Sequence, residues 1–345
     1  MIISIVGTGM FGFALAHHLG VKYLENKENT IVTYDSNSEL MRHLETDRSH
    51  PYHFKDKKLP KNVYFARTKK ELIEDADVVI LAVTSQAIRE IIKEIKAYLK
   101  DNIIIVNTAK ALEIGTNKLF SEVIEEGISN TTSNYTIAKL SGGTFAEDLV
   151  NDAPLGADIS CENIVVLKKL QEIFQGRNLR IYGNTDLIGV EYAGAFKNVI
   201  AILAGVINGL GLPYGSETHM ISRAAKEAKE IAVALGAHPH TFSMESQCWG
   251  NDLWMSCTGR SRNREFGRLI GTGLSPSDAL EKMKAGRKLV EGYYTIGAIP
   301  QLCKKANLRS PIFNEIYNMV YEEKAPKGSI KHLMNREAEH IGETF

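Results

Sequence analysis

Residues 2–12 read Ile-Ile-Ser-Ile-Val-Gly-Thr-Gly-Met-Phe-Gly, an apolar strand pattern that runs directly into G-x-G-x-x-G. The glycines are Gly7, Gly9 and Gly12, and the largely apolar segment that follows, from residue 13 to residue 19, is typical of a helix. In this pattern the first glycine permits a tight turn, the second lets a pyrophosphate approach the backbone, and the third lets helix and strand pack closely. The stretch therefore predicts a dinucleotide-binding βαβ unit.

An acid at the end of the next predicted strand supports this interpretation. Asp35 follows Thr30–Tyr34 and lies about 20 residues beyond the glycines, where an acid hydrogen-bonds the adenosine ribose. A glycine-rich turn in another α/β protein is the alternative, and it does not need this acid. Because a carboxylate repels a 2′-phosphate, Asp35 favours NAD over NADP. The other cofactor contacts that we predict in this half of the chain are Met10, Phe11 and Val83.

Composition excludes several classes of protein. The 345 residues fit two domains, and 41 basic residues balance 41 acidic ones, so no net charge favours nucleic acid or an anionic membrane. The four cysteines lack zinc-like spacing, which predicts no metal site and free thiols in a reducing cytoplasm. The chain starts on a strand, so we expect no signal peptide. The apolar stretch 190–212 contains Glu191, Lys197 and Asn198, which indicates a buried helix rather than a membrane span.

The order of predicted elements gives the fold class, which is α/β. Strand and helix patterns alternate up to residue 184 and predict an N-terminal Rossmann-type dinucleotide-binding domain at 1–184. Long helical patterns follow and predict an all-α C-terminal substrate domain at 185–345. The predicted strands are Ile2–Val6, Thr30–Tyr34, Val63–Ala66, Val78–Val83, Ile103–Thr108, Thr136–Leu140, Ile164–Leu167 and Leu179–Tyr182.

Three polar clusters could supply proton chemistry beside a nicotinamide. Lys110 follows the strand Ile103–Thr108, and Lys197 and Asn198 lie in an otherwise apolar helix. The segment 249–264 contains an acid, hydroxyl groups and arginines. An ammonium on an apolar helix needs an anion or a substrate oxygen, which makes Lys197 the sharpest candidate. The alternative for Lys197 is a side chain that extends to the surface. The alternative for the arginines is a run of charged residues on the solvated surface.

These residues occur in blocks whose order and spacing resemble the NAD(P)-dependent sn-glycerol-3-phosphate dehydrogenase family along almost the whole chain. The matching blocks are I-V-G-T-G-M-F-G-F-A-L-A at the N-terminus, A-V-T-S-Q-A-I-R at 82–89, N-T-A-K-A-L-E at 107–113, S-G-G-T-F-A-E-D at 141–148, D-L-I-G-V-E-Y-A-G-A-F-K-N-V-I-A-I at 186–202, N-D-L-W-M-S-C-T at 251–258, S-R-N-R-E-F-G at 261–267 and L-V-E-G-Y-Y-T at 289–295. The resemblance implies hydride transfer between NAD and a small phosphorylated ketone or alcohol, namely dihydroxyacetone phosphate and sn-glycerol 3-phosphate. It also implies a homodimer.

The resemblance assigns roles to individual residues. It implies that Lys197 is the general acid and base, that Lys110 polarises the carbonyl oxygen, and that Asp252 orients the catalytic lysine. We expect the two ammonium groups and the carboxylate to converge beside the nicotinamide. The implied substrate contacts are Asn198, Ser256, Arg262 and Asn263, and the implied further cofactor contacts are Ala146, Arg262 and Glu291.

Some positions depart from the family pattern. Gly143 replaces a proline, Ala111 replaces a glycine, and the segment 211–224 gains Glu217 and His219, which could alter the substrate pocket. Another phosphorylated ketone or polyol therefore stays open as the substrate. Two other classes are a 3-hydroxyacyl-CoA or 6-phosphogluconate type of dehydrogenase, and a non-catalytic NAD(H)-binding sensor. The 3-hydroxyacyl-CoA type needs a His–Glu pair that we cannot place, and the sensor should have lost Lys197 or Asp252.

Overall fold

The computed structural model describes residues 1–25, 28–131 and 134–336. Within these residues a sheet of eight strands has the order β3-β2-β1-β4-β5-β6-β7-β8. The first six strands pair in parallel, β6 and β7 pair antiparallel, and β7 and β8 pair in parallel. The strands are β1 Ile2–Val6, β2 Thr30–Tyr34, β3 Val63–Phe65, β4 Val78–Leu81, β5 Ile103–Asn107, β6 Tyr135–Ser141, β7 Leu155–Ser160 and β8 Leu179–Asn184.

The central strands are apolar on both faces because helices cover the sheet from both sides. In β5, Ile104 and Val106 belong to one apolar core, whereas Ile103 and Ile105 belong to the other. Successive side chains of a strand point to opposite faces, so an uninterrupted apolar run is what a doubly covered parallel sheet requires. This arrangement confirms the predicted α/β class and places the carboxyl ends of β1 to β6 at one edge.

The strand predicted at Ile164–Leu167 is wrong, because these residues begin a helix, Ile164–Phe174. The Asn163 side chain caps this helix by accepting hydrogen bonds from the amides of Val165 and Val166 at 3.0 and 3.2 Å. Ile164 and Val165 are 53% and 73% exposed, so β-branched residues that suggested a buried strand lie on a helix surface. The strand that the sequence analysis did not predict is β7, because its sequence Leu-Gly-Ala-Asp-Ile-Ser contains few residues that favour strands.

Fifteen α-helices lie in the described part of the chain. They are α1 Met10–Lys22, α2 Ser38–Asp47, α3 Lys69–Ile73, α4 Ile88–Ile95, α5 Phe120–Ile128, α6 Ala146–Val150, α7 Ile164–Phe174, α8 Leu187–Gly209, α9 Tyr214–Ala234, α10 Asp252–Thr258, α11 Arg262–Gly271, α12 Pro276–Ala285, α13 Glu291–Ala306, α14 Pro311–Tyr321 and α15 Pro326–Met334. A π-helical turn at Gln247–Asn251 leads directly into α10. Helix α8 is long and apolar enough to cross a membrane, but its apolar window is entirely buried, as predicted for a core helix.

Packing divides the chain into two compact units. The first, which we call the sheet unit, contains Met1–Ala195 and Gly236–Met255. The second, the helical unit, contains Phe196–Leu235 and the chain from Ser256 on. The boundary predicted after residue 184 coincides with the end of β8, whereas packing places the first part of α8 and the segment 236–255 with the sheet. Residues 337–345 of the predicted second domain lie outside the described residues.

Within the helical unit, glycines bring α8 and α11 into backbone contact. A Cβ atom on Gly205 would overlap the carbonyl oxygen of Arg264, and one on Gly267 would overlap that of Ile202. Gly209 and Gly271, one turn further along each helix, are equally close to the opposite backbone. The G-x-x-x-G spacing on both helices therefore sets how α11 lies on α8, which fixes the start of α11.

Candidate active site

The glycine fingerprint forms a tight turn at the carboxyl end of β1. Gly7 has φ +92°, a conformation that favours glycine, and a Cβ on Gly12 would overlap the carbonyl oxygen of Gly7. A Cβ on Gly9 would have nothing within 4 Å, so the backbone there borders open space. This geometry fits a pyrophosphate laid against the loop at the N-terminus of α1.

The predicted ribose acid lies against the fingerprint. The Asp35 carboxylate accepts hydrogen bonds from the Thr8 amide at 2.8 Å and from the Asn37 amide at 2.9 Å. Gly7 is tied to the same strand end, because its amide donates to the Tyr34 carbonyl at 2.8 Å. The loop and the acid are therefore held together, as a site for an adenosine nucleotide requires.

The structure places the other predicted cofactor residues in both units. Val83 packs against Gly7, since a Cβ on that glycine would lie 2.9 Å from the Val83 side chain. Met10 and Phe11 form the first turn of α1, and Met10 is exposed. Ala146 begins α6 in the sheet unit. Two further residues lie in the helical unit, where Arg262 begins α11 and Glu291 begins α13.

In the sheet unit, Lys110 and Asp252 form the ion pair of the candidate site. The Lys110 ammonium donates to Asp252 Oδ2 at 2.6 Å and to the carbonyl of Gly142 at 2.7 Å. Asp252 is completely buried, and Lys110 follows β5 at the carboxyl edge of the sheet, as predicted. A buried carboxylate at this distance forms a charge-assisted hydrogen bond that directs the lysine ammonium.

In the helical unit, Lys197 does not extend to the surface. The residue is 6% exposed, and its ammonium donates to the hydroxyl of Ser256 at 2.9 Å. Its neighbour Asn198 accepts a hydrogen bond from Asn263 Nδ2 at 2.9 Å, and Asn263 Oδ1 accepts one from the Gly292 amide at 3.0 Å. The structure thus links the predicted residues Lys197 to Ser256 and Asn198 to Asn263.

Arg262 is placed differently from its neighbours. Its side chain is exposed, and the residue occupies the first position of α11, after the N-cap Ser261. A helix N-terminus carries unpaired amides and a partial positive charge, which favour an anion. Arg262 is therefore a surface cation beside a favourable helix end rather than part of a buried network.

Two departures from the family pattern have structural explanations. A Cβ on Gly143 would lie 2.8 Å from Asn251 Oδ1, so this asparagine fills the space beside the glycine that replaces a proline. Glu217 is buried in the helical unit and accepts hydrogen bonds from Arg264 at 2.9 and 3.3 Å. The extra acid therefore neutralises an arginine of the S-R-N-R block.

The sequence analysis did not single out a buried lysine, Lys139, that contacts the residue before Lys110. Lys139 lies in β6, is 1% exposed, and donates a hydrogen bond to the carbonyl of Ala109. The sequence does contain a signal for it, namely a lysine in the middle of the strand Tyr-Thr-Ile-Ala-Lys-Leu-Ser. A charged group in a buried strand needs partners that offset its desolvation, so such a lysine is expected to have a specific contact.

Comparisons with known proteins identify the family of the chain. The model of the NAD-dependent glycerol-3-phosphate dehydrogenase N-terminus matches residues 2–166, and that of the C-terminus matches residues 186–331. The glycerol-3-phosphate dehydrogenase [NAD(P)+] of Clostridium botulinum strain Alaska E43 is 34% identical over 97% of both chains. That of Thermoanaerobacter sp. strain X514 is 33% identical over 99% of this chain and 98% of the relative.

Solved structures share the fold. The glycerol-3-phosphate dehydrogenase of Coxiella burnetii matches with a TM-score of 0.85 and 24% identity over 97% of this chain and 99% of its own. That of Plasmodium falciparum matches with a TM-score of 0.89 and 22% identity over 99% and 97%. The Rossmann-type sheet, its glycine loop and the helical unit define an NAD(P)-dependent oxidoreductase acting on a CH–OH group. Within that class, the chain belongs to the NAD-dependent glycerol-3-phosphate dehydrogenase family.

Proposed function

We propose that this chain interconverts dihydroxyacetone phosphate and sn-glycerol 3-phosphate with NAD(H), using Lys197 as general acid and base. The observation that carries the proposal is the burial of Lys197 with its ammonium on the Ser256 hydroxyl at 2.9 Å. An ammonium held in the interior, where a substrate oxygen can reach it, is placed to donate and accept a proton.

The cofactor site fits NAD. The glycine loop would hold the pyrophosphate, and Asp35 would accept hydrogen bonds from the ribose hydroxyls, with Met10, Phe11, Val83, Ala146, Arg262 and Glu291 as the remaining contacts. When bound, the nicotinamide supplies a hydride to the ketone carbon in one direction and accepts it back in the other.

Lys110 and Lys197 have different roles at the substrate oxygen. As the oxygen gains negative charge, Lys110 stabilises it and Lys197 donates the proton. Asp252 holds the Lys110 ammonium in place through their 2.6 Å contact. In the reverse direction Lys197 takes the proton from the alcohol. Asn198 and Ser256 are the neighbouring substrate contacts in this scheme.

Binding of the phosphate supplies the energy that holds the ketone in place. We assign this role to Arg262 and Asn263, at the N-terminus of α11. An amide nitrogen carries two N–H groups, and Asn263 uses one on Asn198, so we assign the second to the phosphate. An exposed guanidinium can bind a phosphate bidentately as the substrate enters.

We also propose a cytoplasmic homodimer. The four cysteines are buried free thiols, which suits a reducing compartment. The dimer rests on the family resemblance alone, and sedimentation of the purified protein tests it directly. A single species at the monomer mass of 38.3 kDa across micromolar concentrations would contradict it.

A substrate panel tests the activity itself. Purified protein is assayed with NADH and with NADPH against dihydroxyacetone phosphate, other phosphorylated ketones and unphosphorylated dihydroxyacetone. We expect the highest kcat/KM with dihydroxyacetone phosphate and NADH. A higher kcat/KM on another phosphorylated ketone would change the substrate but keep the reaction. Tight NADH binding without turnover of any ketone would favour the sensor instead.

A further inference from the structure

Both backbone polar groups of Ala109, the residue before Lys110, are held by side chains. The Ala109 amide donates to Asn107 Oδ1 at 2.9 Å, and its carbonyl accepts a hydrogen bond from the buried Lys139 ammonium. Neither of the two peptide planes that flank Ala109 can rotate without breaking one of these buried hydrogen bonds. The backbone that carries Lys110 is therefore fixed from beneath.

Glu191 anchors one of the two side chains that hold Ala109, that of Asn107, and it feels the charge of the other, Lys139. Glu191 Oε1 accepts a hydrogen bond from Asn107 Nδ2 at 3.2 Å, and its carboxylate also accepts from the amide and the hydroxyl of Ser121. Glu191 is 3% exposed. Burial raises the pKa of the Glu191 carboxyl, and the charge of Lys139 opposes that shift. The carboxylate and the lysine thus compensate each other in the interior.

The same helix also limits the Lys110 side chain. A Cβ on Gly194, one turn beyond Glu191 in α8, would lie 3.5 Å from Cβ and Cγ of Lys110. The lysine stem therefore passes close to the α8 backbone, and its ammonium ends on Gly142 and Asp252. The backbone before Lys110, the aliphatic part of its side chain and its ammonium are therefore each restrained by different groups.

We propose that Glu191, Asn107 and Lys139 form a positioning network for Lys110, which keeps its ammonium where the substrate oxygen gains charge. The inference rests on the proposed role of Lys110 in catalysis. None of the three residues touches the substrate in this proposal. They act through Ala109, and a displacement of about 1 Å at a reacting group can lower a rate by a factor of about 100.

Three variants separate positioning from simple stabilisation. Lys139→Met removes the donor to Ala109, but it also removes the charge that opposes the rise of the Glu191 pKa. The double variant Lys139→Met with Glu191→Gln therefore replaces both ionisable groups at similar volume. Glu191→Gln alone keeps an acceptor for Asn107 and a donor for the Ser121 hydroxyl. Lys100→Met is the matched control, because it deletes a lysine–aspartate pair (Lys100 to Asp77, 2.8 Å) at the opposite edge of the sheet.

Two readouts are measured for each folded variant. The first is kcat and KM for dihydroxyacetone phosphate together with the Kd for NADH. The second is amide hydrogen exchange of residues 107–112, which does not depend on turnover. For the double variant we expect kcat to fall roughly 10- to 100-fold with NADH affinity kept, and exchange at 107–112 to become faster. Glu191→Gln should keep kcat within about fivefold, and Lys100→Met should change neither readout.

The outcomes distinguish this inference from the proposed function. Wild-type kcat and unchanged exchange in the double variant would overturn the network. Faster exchange with normal kcat would also overturn it, because Lys110 would then not need the anchor. If the wild-type protein turns over no ketone, the proposed function fails, and unaltered exchange in the double variant would still overturn the anchoring of Ala109 independently.

Discussion

The ammonium of Lys110 lies 2.6 Å from the carboxylate of Asp252, a residue 142 positions further along the chain with no exposed surface. This pair joins the end of a central strand to the start of α10 within the sheet unit. A buried carboxylate needs a cation, so each partner depends on the other.

Replacing the carboxylate should impair catalysis without removing the cofactor site. For Asp252→Asn we expect kcat to fall by roughly 100-fold, because Lys110 loses the group that directs its ammonium, while the Kd for NADH stays within about twofold. Asp77→Asn is the control, since it breaks a lysine–aspartate pair of 2.8 Å at the other edge of the sheet. Equal kcat in Asp252→Asn and Asp77→Asn would remove Asp252 from the mechanism.

The buried Lys197 should carry the proton transfer. Lys197→Met keeps the length of the side chain but has no proton to give, so we expect kcat to fall by about 1,000-fold or more with NADH binding near normal. Steady-state kinetics and fluorescence titration with NADH measure the two effects. Ser256→Ala, which leaves the lysine in place but removes its hydroxyl partner, should lose less. Turnover of Lys197→Met near the wild-type rate would rule out the proposed role.

Asp35 should decide between NADH and NADPH. Asp35→Ser removes a negative charge from the position where a 2′-phosphate would lie, so the ratio of kcat/KM for NADPH to that for NADH should rise by about tenfold or more. Asp35→Glu keeps the charge and is the control. A ratio that is the same in both variants would mean that other groups select the cofactor.

Glu227 should make stability depend on pH. This buried acid accepts hydrogen bonds from the amides of Ile312 and Phe313 at 2.9–3.1 Å, yet burial raises its pKa from 4.5 to about 7. Since the folded state holds the proton more tightly than the unfolded state, its contribution to stability is complete below pH 4.5 and is lost as pH rises to about 7.

The variant Glu227→Gln cannot titrate, so its free energy of unfolding should lack this decrease. Urea denaturation between pH 4.5 and 8 should show the wild-type protein losing up to about 3 kcal/mol relative to the variant over that window. Glu90→Gln is the control, because it breaks an exposed ion pair with Lys93 in the sheet unit. Parallel curves for wild type and Glu227→Gln would contradict the prediction.

The close contact of α8 and α11 predicts intolerance of a single methyl group. In Gly267→Ala the new Cβ would overlap the carbonyl oxygen of Ile202, and neither backbone can move aside cheaply. We expect a loss of about 3 kcal/mol in the free energy of unfolding. Gly328→Ala is the control, since its Cβ would have nothing within 4 Å and should be neutral or stabilising by up to about 1 kcal/mol. Similar denaturation midpoints for the two variants would disprove the close packing.

Local patterns in the sequence were sufficient to predict the glycine loop and the acid that lies against it. The turn at Gly7, the close packing at Gly12 and the acid at Asp35 all lie within one βαβ unit, and each has a residue type that the backbone geometry requires. The same local reasoning was wrong at Ile164–Leu167, because a cap from Asn163 and the helical pattern that follows outweighed the β-branched residues.

The sequence by itself determined the candidate groups for chemistry, of which Lys197 stood out because an ammonium on an apolar helix is costly without a polar partner. Only the tertiary structure decided their partners. Asp252 is 142 residues from Lys110, and Glu191 is 84 residues from Asn107. Such pairs are chosen by the packing of whole strands and helices, because burial removes water and leaves each polar group to bind whatever the fold brings within reach.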